Sequence, residues 1–437
     1  MNLATLKQGY KSPQLRNRIL VILGLLILFR ILSYIPVPVP DNAALAAFLT
    51  RLFGSSQLLG FADLFSGGAL TNFSIVMMGL GPYINASIII QLMTKVVPHL
   101  ESLSKEGDAG RRKISQYTRL FTLPLAILQS IGMVLLIQQM SQQIAQTDLI
   151  GHPSLFQWFL MITTMTAGTM LLMWLGELIS ERGIGNGISL IIFAGIIAAL
   201  PTSAGQYLNL VANDSGKILQ LILIGALALV VIYVLVLLNE GQRSIPVSYA
   251  RKVRGSRILS GVDTYLPIRL ITAGVIPIIF ALAFLSIPAF IGQLLRNVKT
   301  DWVADFANWM TTFFAPASAG YAVSYFVLVV AFTYFYTSII FNPKDISENM
   351  QKQGGFIPGI RPGRETASYL QNVVNRLTLF GSISLGLIAV LPFIVESFTH
   401  TQILTIGGTG LLIVVTVAIE TMKQLESRVI SISYDKY

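Results

Sequence analysis

Some ten stretches of this 437-residue chain are apolar over lengths near the roughly 20 residues that cross a bilayer's hydrocarbon core. They centre on 19–37, 73–94, 117–138, 156–178, 187–201, 217–238, 268–290, 321–341, 373–395 and 403–422. The fifth is short and the third and fourth are moderately polar, yet no soluble fold has room to bury them all. Composition agrees: 54% of residues are hydrophobic, 11% are charged and the mean hydropathy is +0.69, outside the soluble range. In lipid, backbone polar groups must be satisfied within the crossing element. The sequence therefore predicts an all-α polytopic membrane protein with ten transmembrane helices. The basic N-terminus and the run ILVILGLLILFRILSYIPVPVP superficially suggest a signal peptide. Its apolar core is too long and its small residues follow a proline-rich turn, so a retained first helix is expected. The absence of cysteine excludes disulfides and thiolate metal sites.

Basic residues set the orientation. With the N-terminus in the cytoplasm, all but five of the 30 Lys and Arg fall on the cytoplasmic side, the exceptions being Arg30, Arg51, Lys217, Arg296 and Lys299. An even number of crossings returns the C-terminus to the cytoplasm, consistent with Lys423, Arg428 and Lys436. The net charge of +10 is then mostly topology.

Internal repetition is weak but specific in position. Gly79 and Pro82 in GLGPYI of the second stretch recur as Gly274 and Pro277 in GVIPII of the seventh. GIGNGISLII opens the fifth stretch and IGGTGLLIVV the tenth. Matching stretches sit five apart and cross in opposite directions. That is the pattern of two five-helix halves related by inversion, whose Gly/Pro-interrupted helices mark a pathway at the midplane.

An ion-coupled secondary solute transporter, the alternative reading, needs ionisable or strongly polar groups at mid-membrane. Arg30, Glu177 and Glu396 lie toward stretch ends, and His99, His152 and His400 fall in loops or at boundaries. Beside the helix-interrupting residues stand Leu80, Ile84, Ile188, Ile192, Ile279 and Ile413 instead. Leu80 with Ile84, and Ile188 with Ile192, are four apart and share a helical face. A ring of such side chains excludes water and deforms around what is forced through it, without selecting a solute; isoleucines that merely face lipid or neighbouring helices are the competing account. No HExxH motif or nucleophile and base pair marks an enzyme, and no cofactor or metal site is expected.

FADLFSGGALTNFS, residues 61–74, is too short to cross and is broken by Gly67 and Gly68. It fits either a short helix re-entering from the outer face, tolerated only where protein or a water-filled cavity surrounds it, or an ordinary interfacial helix. Two cytoplasmic loops, 239–267 and 342–372, are long for a compact bundle and are candidates for function. In the first, Ile245, Val247 and Tyr249 alternate as in an extended finger, flanked by Arg243, Arg251, Lys252, Arg254 and Arg257. Such a basic projection suits RNA phosphates or an acidic protein face, although topology-setting flanks explain some of these charges. The glycines of ERGIGNG suggest a phosphate loop only superficially. No strand precedes them, the spacing is not the dinucleotide fingerprint and no P-loop lysine follows.

Six motifs in order, FSGGAL, GPYINASIIIQL, ERGIGNGISLIIFAG, AGVIP, GFIPGIRPG and GGTGLLIVV, resemble the SecY family, the channel-forming subunits of the bacterial Sec protein translocon. The likeness runs from the first stretch to the tenth. It implies two halves, 1–210 and 211–437, hinged between the fifth and sixth spans around an hourglass pore that conducts unfolded polypeptide and releases apolar segments sideways into lipid. The ring would be Leu80, Ile84, Ile188, Ile192, Ile279 and Ile413. The plug, 61–72, would include Phe61, Asp63, Leu64, Phe65, Ser66, Gly67, Gly68 and Leu70. A lateral gate would lie between the second and third spans and the seventh and eighth. The two loops would dock the ribosome or the SecA motor ATPase through Arg243, Arg251, Lys252, Arg254, Arg361 and Arg364. The implied partners are SecE, SecG, SecA, the ribosome, signal sequences, nascent chains and lipid, at the bacterial inner (plasma) membrane. One departure stands out: Ile271 occupies a position ahead of AGVIP where the family pattern suggests asparagine, which implies a more apolar gate.

Overall fold

The structure is a computed structural model that describes residues 13–39, 42–55, 63, 66–142, 153–183, 185–213, 217–249, 253–254, 257–258, 263–295, 298, 300–315, 318–399 and 402–434. The apolar stretches fall on α1 (Pro13–Leu32), α3 (Gly81–Val96), α5 (Asp108–Met140), α6 (Leu155–Glu181), α7 (Gly187–Asn213), α8 (Lys217–Glu240), α9 (Ile276–Leu295), α11 (Ala319–Ile340), α13 (Arg364–Thr399) and α14 (Gln402–Tyr434). Shorter helices intervene: α2 (Asn42–Ser55), α4 (Pro98–Lys105), α10 (Asp301–Phe313) and α12 (Pro343–Lys352). Five of the described helical segments are both long and apolar enough to cross a membrane, namely Asp108–Met140, Leu155–Glu181, Ile276–Leu295, Ala319–Lys352 and Arg364–Val395.

Local chemistry explains where these helices start. Ser154 caps α6 in a reciprocal box: its Oγ accepts from Gln157 N at 3.3 Å while Gln157 Oε1 accepts from Ser154 N at 2.8 Å. Pro82, Pro98 and Pro343 sit in the first two positions of their helices, where a missing N–H leaves no bond unmade. The largest apolar cluster joins residues of α1, α3, α6, α7, α9, α11, α13 and α14. Within it α9 packs on α11 and also meets α3 and α5, while α7 packs on α14. A second cluster gathers α2, the turns after residue 66, α5 and α6.

Two expected spans are shorter at their start than their apolar runs. The second run begins at 73, but its helix begins at Gly81; the seventh begins at 268, but its helix begins at Ile276. Residues 67–80 are successive turns around a bridge between Pro36 and Ser74.

The finger expected at 239–267 is an antiparallel pair, β1 (Gln242–Tyr249) with β4 (Asp263–Arg269), in register from Gln242 opposite Arg269 to Ser248 opposite Asp263. Its tip carries the short strands β2 (Val253–Arg254) and β3 (Arg257–Ile258). The alternation is real: Ile245 and Val247 are buried and their neighbours Ser244 and Pro246 exposed. The second loop joins the same sheet, β5 (Gly355–Phe356) pairing with Ser248 and Tyr249. Pro246 lies outside that short pairing, where its missing donor costs nothing on the β5 side.

Candidate functional site

The two interrupted helices are built alike. Gly79 and Gly274 both adopt left-handed backbone, φ +56° and +63°, a conformation open to glycine at little cost. In each case the helix begins one residue before the proline, at Gly81 and at Ile276. The breaks place apolar side chains at helix starts deep in the bundle. Leu80 is the residue before α3 and Ile84 N donates to its carbonyl at 2.9 Å; Ile279 N donates to Val275 O at 3.3 Å at the start of α9.

Of the six ring candidates, Leu80, Ile84, Ile192, Ile279 and Ile413 are buried in one apolar cluster, with Ile188 packed against it. Leu80, Ile84, Ile192 and Ile279 line a cavity of about 300 Å³, together with Ser66 and Leu70 of the expected plug. Ile413 and Ile188 do not line it. Ile188 lies toward α6, where a Cβ on Gly176 would come within 3.3 Å of its Cγ1. Asn85 also lines the cavity, and its buried Oδ1 has no protein partner among the described residues. Sequence reading missed this amide, because an asparagine one residue after a ring position carries no periodic signal. Ile271 is buried within the main apolar cluster, as its side chain implies.

The described part of the expected plug segment is tied to its surroundings by many contacts. Phe61, Leu64 and Phe65 lie outside the described residues. Asp63 organises a tight turn: its carbonyl accepts from Gly68 N and Ser66 Oγ, both at 2.9 Å, and its Oδ1 accepts from Thr71 N at 3.0 Å. Gly67 and Gly68 are left-handed at φ +69° and +83°. A Cβ on Gly67 would lie 3.0 Å from both Gly195 Cα and Phe29 Cζ, so only glycine fits between α1 and α7. Beyond the turn, Val37 N donates to Phe73 O at 2.8 Å, Ile75 N to Ile35 O at 2.9 Å and Ser74 Oγ to Leu32 O at 2.8 Å. Arg30 adds a charged contact, Nη1 donating to the carbonyl of Gly67 and Nη2 to Tyr34 Oη at 3.1 Å, with the guanidinium 5.3 Å from the Tyr34 ring centre. Arg30, toward the end of the first span, thus has a partner in the segment expected to form the plug.

The ERGIGNG turn also finds distant partners. Gly183 and Gly185 are left-handed at φ +74° and +83°. Gly185 N donates to Gln424 Oε1 at 2.7 Å, Arg428 Nε to Gly183 O at 3.3 Å and Arg18 Nη1 to Arg182 O at 3.2 Å. Asn186 Oδ1 accepts from Ile188 N at 3.0 Å and so starts α7. The far end of α14 therefore grips the turn between α6 and α7. Beside it lies a polar cavity of about 350 Å³ lined by Asn186, Asn239, Arg269, Glu420, Lys423 and Gln424, among others. Lys423 Nζ donates to Asn239 O at 2.8 Å. Burial and then the neighbouring Arg269 hold its ammonium below the usual lysine range, with Glu240 opposing.

The two long loops form one unit rather than two. Ile245, Val247, Ile268, Met350, Ile357, Leu370, Val373 and Val374 share a core that fixes the sheet onto α12 and the start of α13. Thr366 Oγ1 donates to Arg361 O at 2.8 Å and Ser347 Oγ to Gly363 O at 2.6 Å, pinning the GIRPG turn. Arg243, Arg361 and Arg364 are exposed on this unit. Arg254 lies on β2, and Arg251 and Lys252 lie outside the described residues.

Comparison with known proteins bears on the family and the fold. The SecY family model matches residues 74–422. A protein translocase subunit SecY from Streptomyces scabiei is 40% identical over 439 residues, covering 100% of this chain and 99% of that protein. Among solved structures, a SecY channel whose plug domain is described as stabilizing the closed state of the translocation channel and maintaining a membrane seal superposes with a TM-score of 0.64 at 18% identity, over 92% of this chain and 90% of that one. Sec61 in the canine ribosome-channel complex from the endoplasmic reticulum gives a TM-score of 0.61 at 18% identity, with the same coverage. At that identity the structural likeness speaks for the fold, while the sequence relatives carry the family.

Proposed function

This chain belongs to the SecY family, and from that premise we propose that it forms the polypeptide-conducting channel of a protein translocase, with the cavity bordered by Leu80, Ile84, Ile192 and Ile279 as its constriction. The observation that carries the reading is the meeting of four aliphatic side chains, Leu80 from the turn before α3, Ile84 of α3, Ile192 of α7 and Ile279 of α9, around one void, with Ser66 and Leu70 on its wall. A collar of that chemistry grips a moving chain without binding any one sequence and excludes water when empty. Ile188 and Ile413 support the collar from the surrounding cluster.

The remaining roles follow from the same premise. The chain is a multi-pass protein of the bacterial plasma membrane, with ten spans in two inverted halves, 1–210 and 211–437, and both termini cytoplasmic. It supplies no catalytic chemistry, and the work of translocation comes from a partner. The sheet unit bearing Arg243, Arg361 and Arg364 is the docking surface for the SecA motor or the ribosome, and SecE and SecG complete the assembly. Signal sequences part α9 and α11 from α3 and α5. An apolar segment leaving the pore then gains on the order of 25 cal/mol per Å² of apolar surface, whereas a charge at the bilayer centre costs roughly 2.5–3.5 kcal/mol on insertion scales, so the opening sorts segments by partitioning.

The test exploits the absence of cysteine. Single cysteines replacing Ile192 or Ile279 are expected to crosslink to a stalled secretory chain, and one replacing Val327, exposed on the outside of α11, is not. Crosslinks absent at 192 and 279 but present at 327 would remove the constriction from this cavity. Asparagine at Ile84, Ile192 or Ile279 is expected to raise the ion conductance of resting channels; unchanged conductance at all three would count equally against it.

A further inference from the structure

Helix α10, between the two apolar helices α9 and α11, is divided lengthwise into three faces. At about 100° per residue, Ala307, Met310 and Thr311 share the face that packs on α9. A Cβ on Gly292 there would lie 3.0 Å from Thr311 Cγ2, 3.1 Å from Ala307 O and 3.2 Å from Met310 Cβ. Asp301, Asp305, Asn308 and Thr312 form an exposed polar stripe. The third face carries Trp302, Phe306, Trp309 and Phe313, which are 74%, 51%, 54% and 37% exposed. Phe306 stacks on Trp309 with centroids 5.8 Å apart, and Trp309 on Phe313 at 5.2 Å.

Four large aromatic side chains in one exposed stripe constitute a patch that a water-facing helix would not carry. The following helix α11 also exposes apolar side chains, Val323 and Val327, and both α9, on which α10 packs, and α11 are long and apolar enough to cross a membrane. Indole rings favour the boundary between headgroups and acyl chains, and a helix with sharply separated apolar and polar faces lies in the plane of that boundary. We infer that α10 is an interfacial helix that rests on the lipid bilayer, its aromatic stripe at the level of the headgroup and acyl boundary and Asp301 and Asp305 in water. One flank is bolted to α9, so the occupant of the aromatic flank is lipid continuous with that around α9 and α11. The inference rests on the membrane-spanning placement of those two helices in the proposed function, but not on what the channel conducts.

The cysteine-free chain permits a direct test. In the full-length protein in liposomes, nitroxide labels on single cysteines at 301, 305 and 308, and at 302, 306 and 309, are compared for collision with oxygen, which concentrates in lipid, and with a water-soluble nickel chelate. A label at Val327 on α11 serves as the lipid control. The oxygen-to-nickel ratio is expected to be several-fold higher at 302, 306 and 309 than at 301, 305 and 308. Nickel access on both faces would place the stripe in water and overturn the inference. Immobile labels shielded from both reagents at 302, 306 and 309 would reveal a covering protein chain and overturn it equally. Nickel access at 327 as well would instead refute the membrane placement. Since replacing an aromatic residue can disturb α10, a second protein keeps Trp302 and Trp309 and carries Trp158→Phe and Trp174→Phe. Its fluorescence is expected to be quenched more by lipid brominated near the glycerol than by aqueous iodide, and the reverse order would overturn the inference.

Discussion

Gly168→Ala is the sharpest probe of how the proposed constriction is held. Gly168 lies on the buried face of α6. A Cβ there would sit 2.0 Å from Ile75 O, 2.7 Å from Ile75 C and 3.2 Å from Val76 N. Ordinary van der Waals contact begins at 3.4 Å, so either α6 or the turns that lead to Leu80 must yield by about 1.4 Å. Every atom in the way is backbone, so no rotamer change relieves the clash. Overpacking of this kind costs about 1–3 kcal/mol, whereas alanine gains at most about 1 kcal/mol over glycine in helix propensity. The clash wins, and a net loss of about 2 kcal/mol is expected, with residues 75–80 displaced. The predicted outcome is a lowered midpoint of thermal unfolding together with higher resting ion conductance in a planar bilayer. Gly24→Ala is the control, since nothing lies within 4 Å of a Cβ there, and it should be neutral or mildly stabilising. Wild-type stability and conductance in Gly168→Ala would show that contact between α6 and these turns does not position Leu80.

Other residues make shorter tests. Arg30→Met removes the donor to the Gly67 carbonyl and is expected to increase resting conductance with little change in expression. Arg30→Lys, which reaches as a point charge but lacks the fork, should restore the low conductance only in part, and equal conductance of Met and Arg proteins would dissociate Arg30 from the proposed plug. Arg243→Glu with Arg361→Glu reverses two exposed charges on the loop unit and should weaken motor or ribosome binding to vesicles, increasingly so at low salt; undiminished binding would leave these arginines as markers of topology.

The legible parts of this fold are those that repeat or alternate. Long apolar runs announced the helices, the alternation of Ile245 and Val247 announced β1, and GLGPYI matching GVIPII announced two breaks at equivalent places. What stayed hidden depends on partners remote in sequence. Nothing in ERGIGNG indicates that Gln424 and Arg428 will bond its backbone, because that contact exists only once α7 packs on α14. Strand pairing between the two loops was invisible because β5 is two residues long and is specified by the shared core under it rather than by propensity. The helix starts at 81 and 276 were misplaced for a related reason. Apolar composition reports depth in the membrane, whereas the turns at 73–80 and around 274 are held by hydrogen bonds and glycine backbone that hydropathy does not register.

Those two breaks permit a test of whether the halves are equivalent in energy as well as in pattern. Gly79 and Gly274 have φ +56° and +63°, where an L-residue with a Cβ loses roughly 1–2 kcal/mol. Gly79→Ala and Gly274→Ala are therefore expected to destabilise by similar amounts. At Gly274 the added Cβ would also lie 3.2 Å from Glu420 Oε2, the movable end of a side chain that can swing aside at modest cost. Gly225→Ala in α8, with nothing within 4 Å of a Cβ, calibrates the helix-propensity gain. Each loss should appear in thermal unfolding and be accompanied by altered conductance, since the left-handed residue aims Leu80 at one site and the start of α9, with Ile279, at the other. A neutral Gly79→Ala beside a damaging Gly274→Ala would mean that only the second break is conformationally required. The matching glycines would then reflect the general abundance of glycine in membrane helices, and the repeat would lose its physical basis.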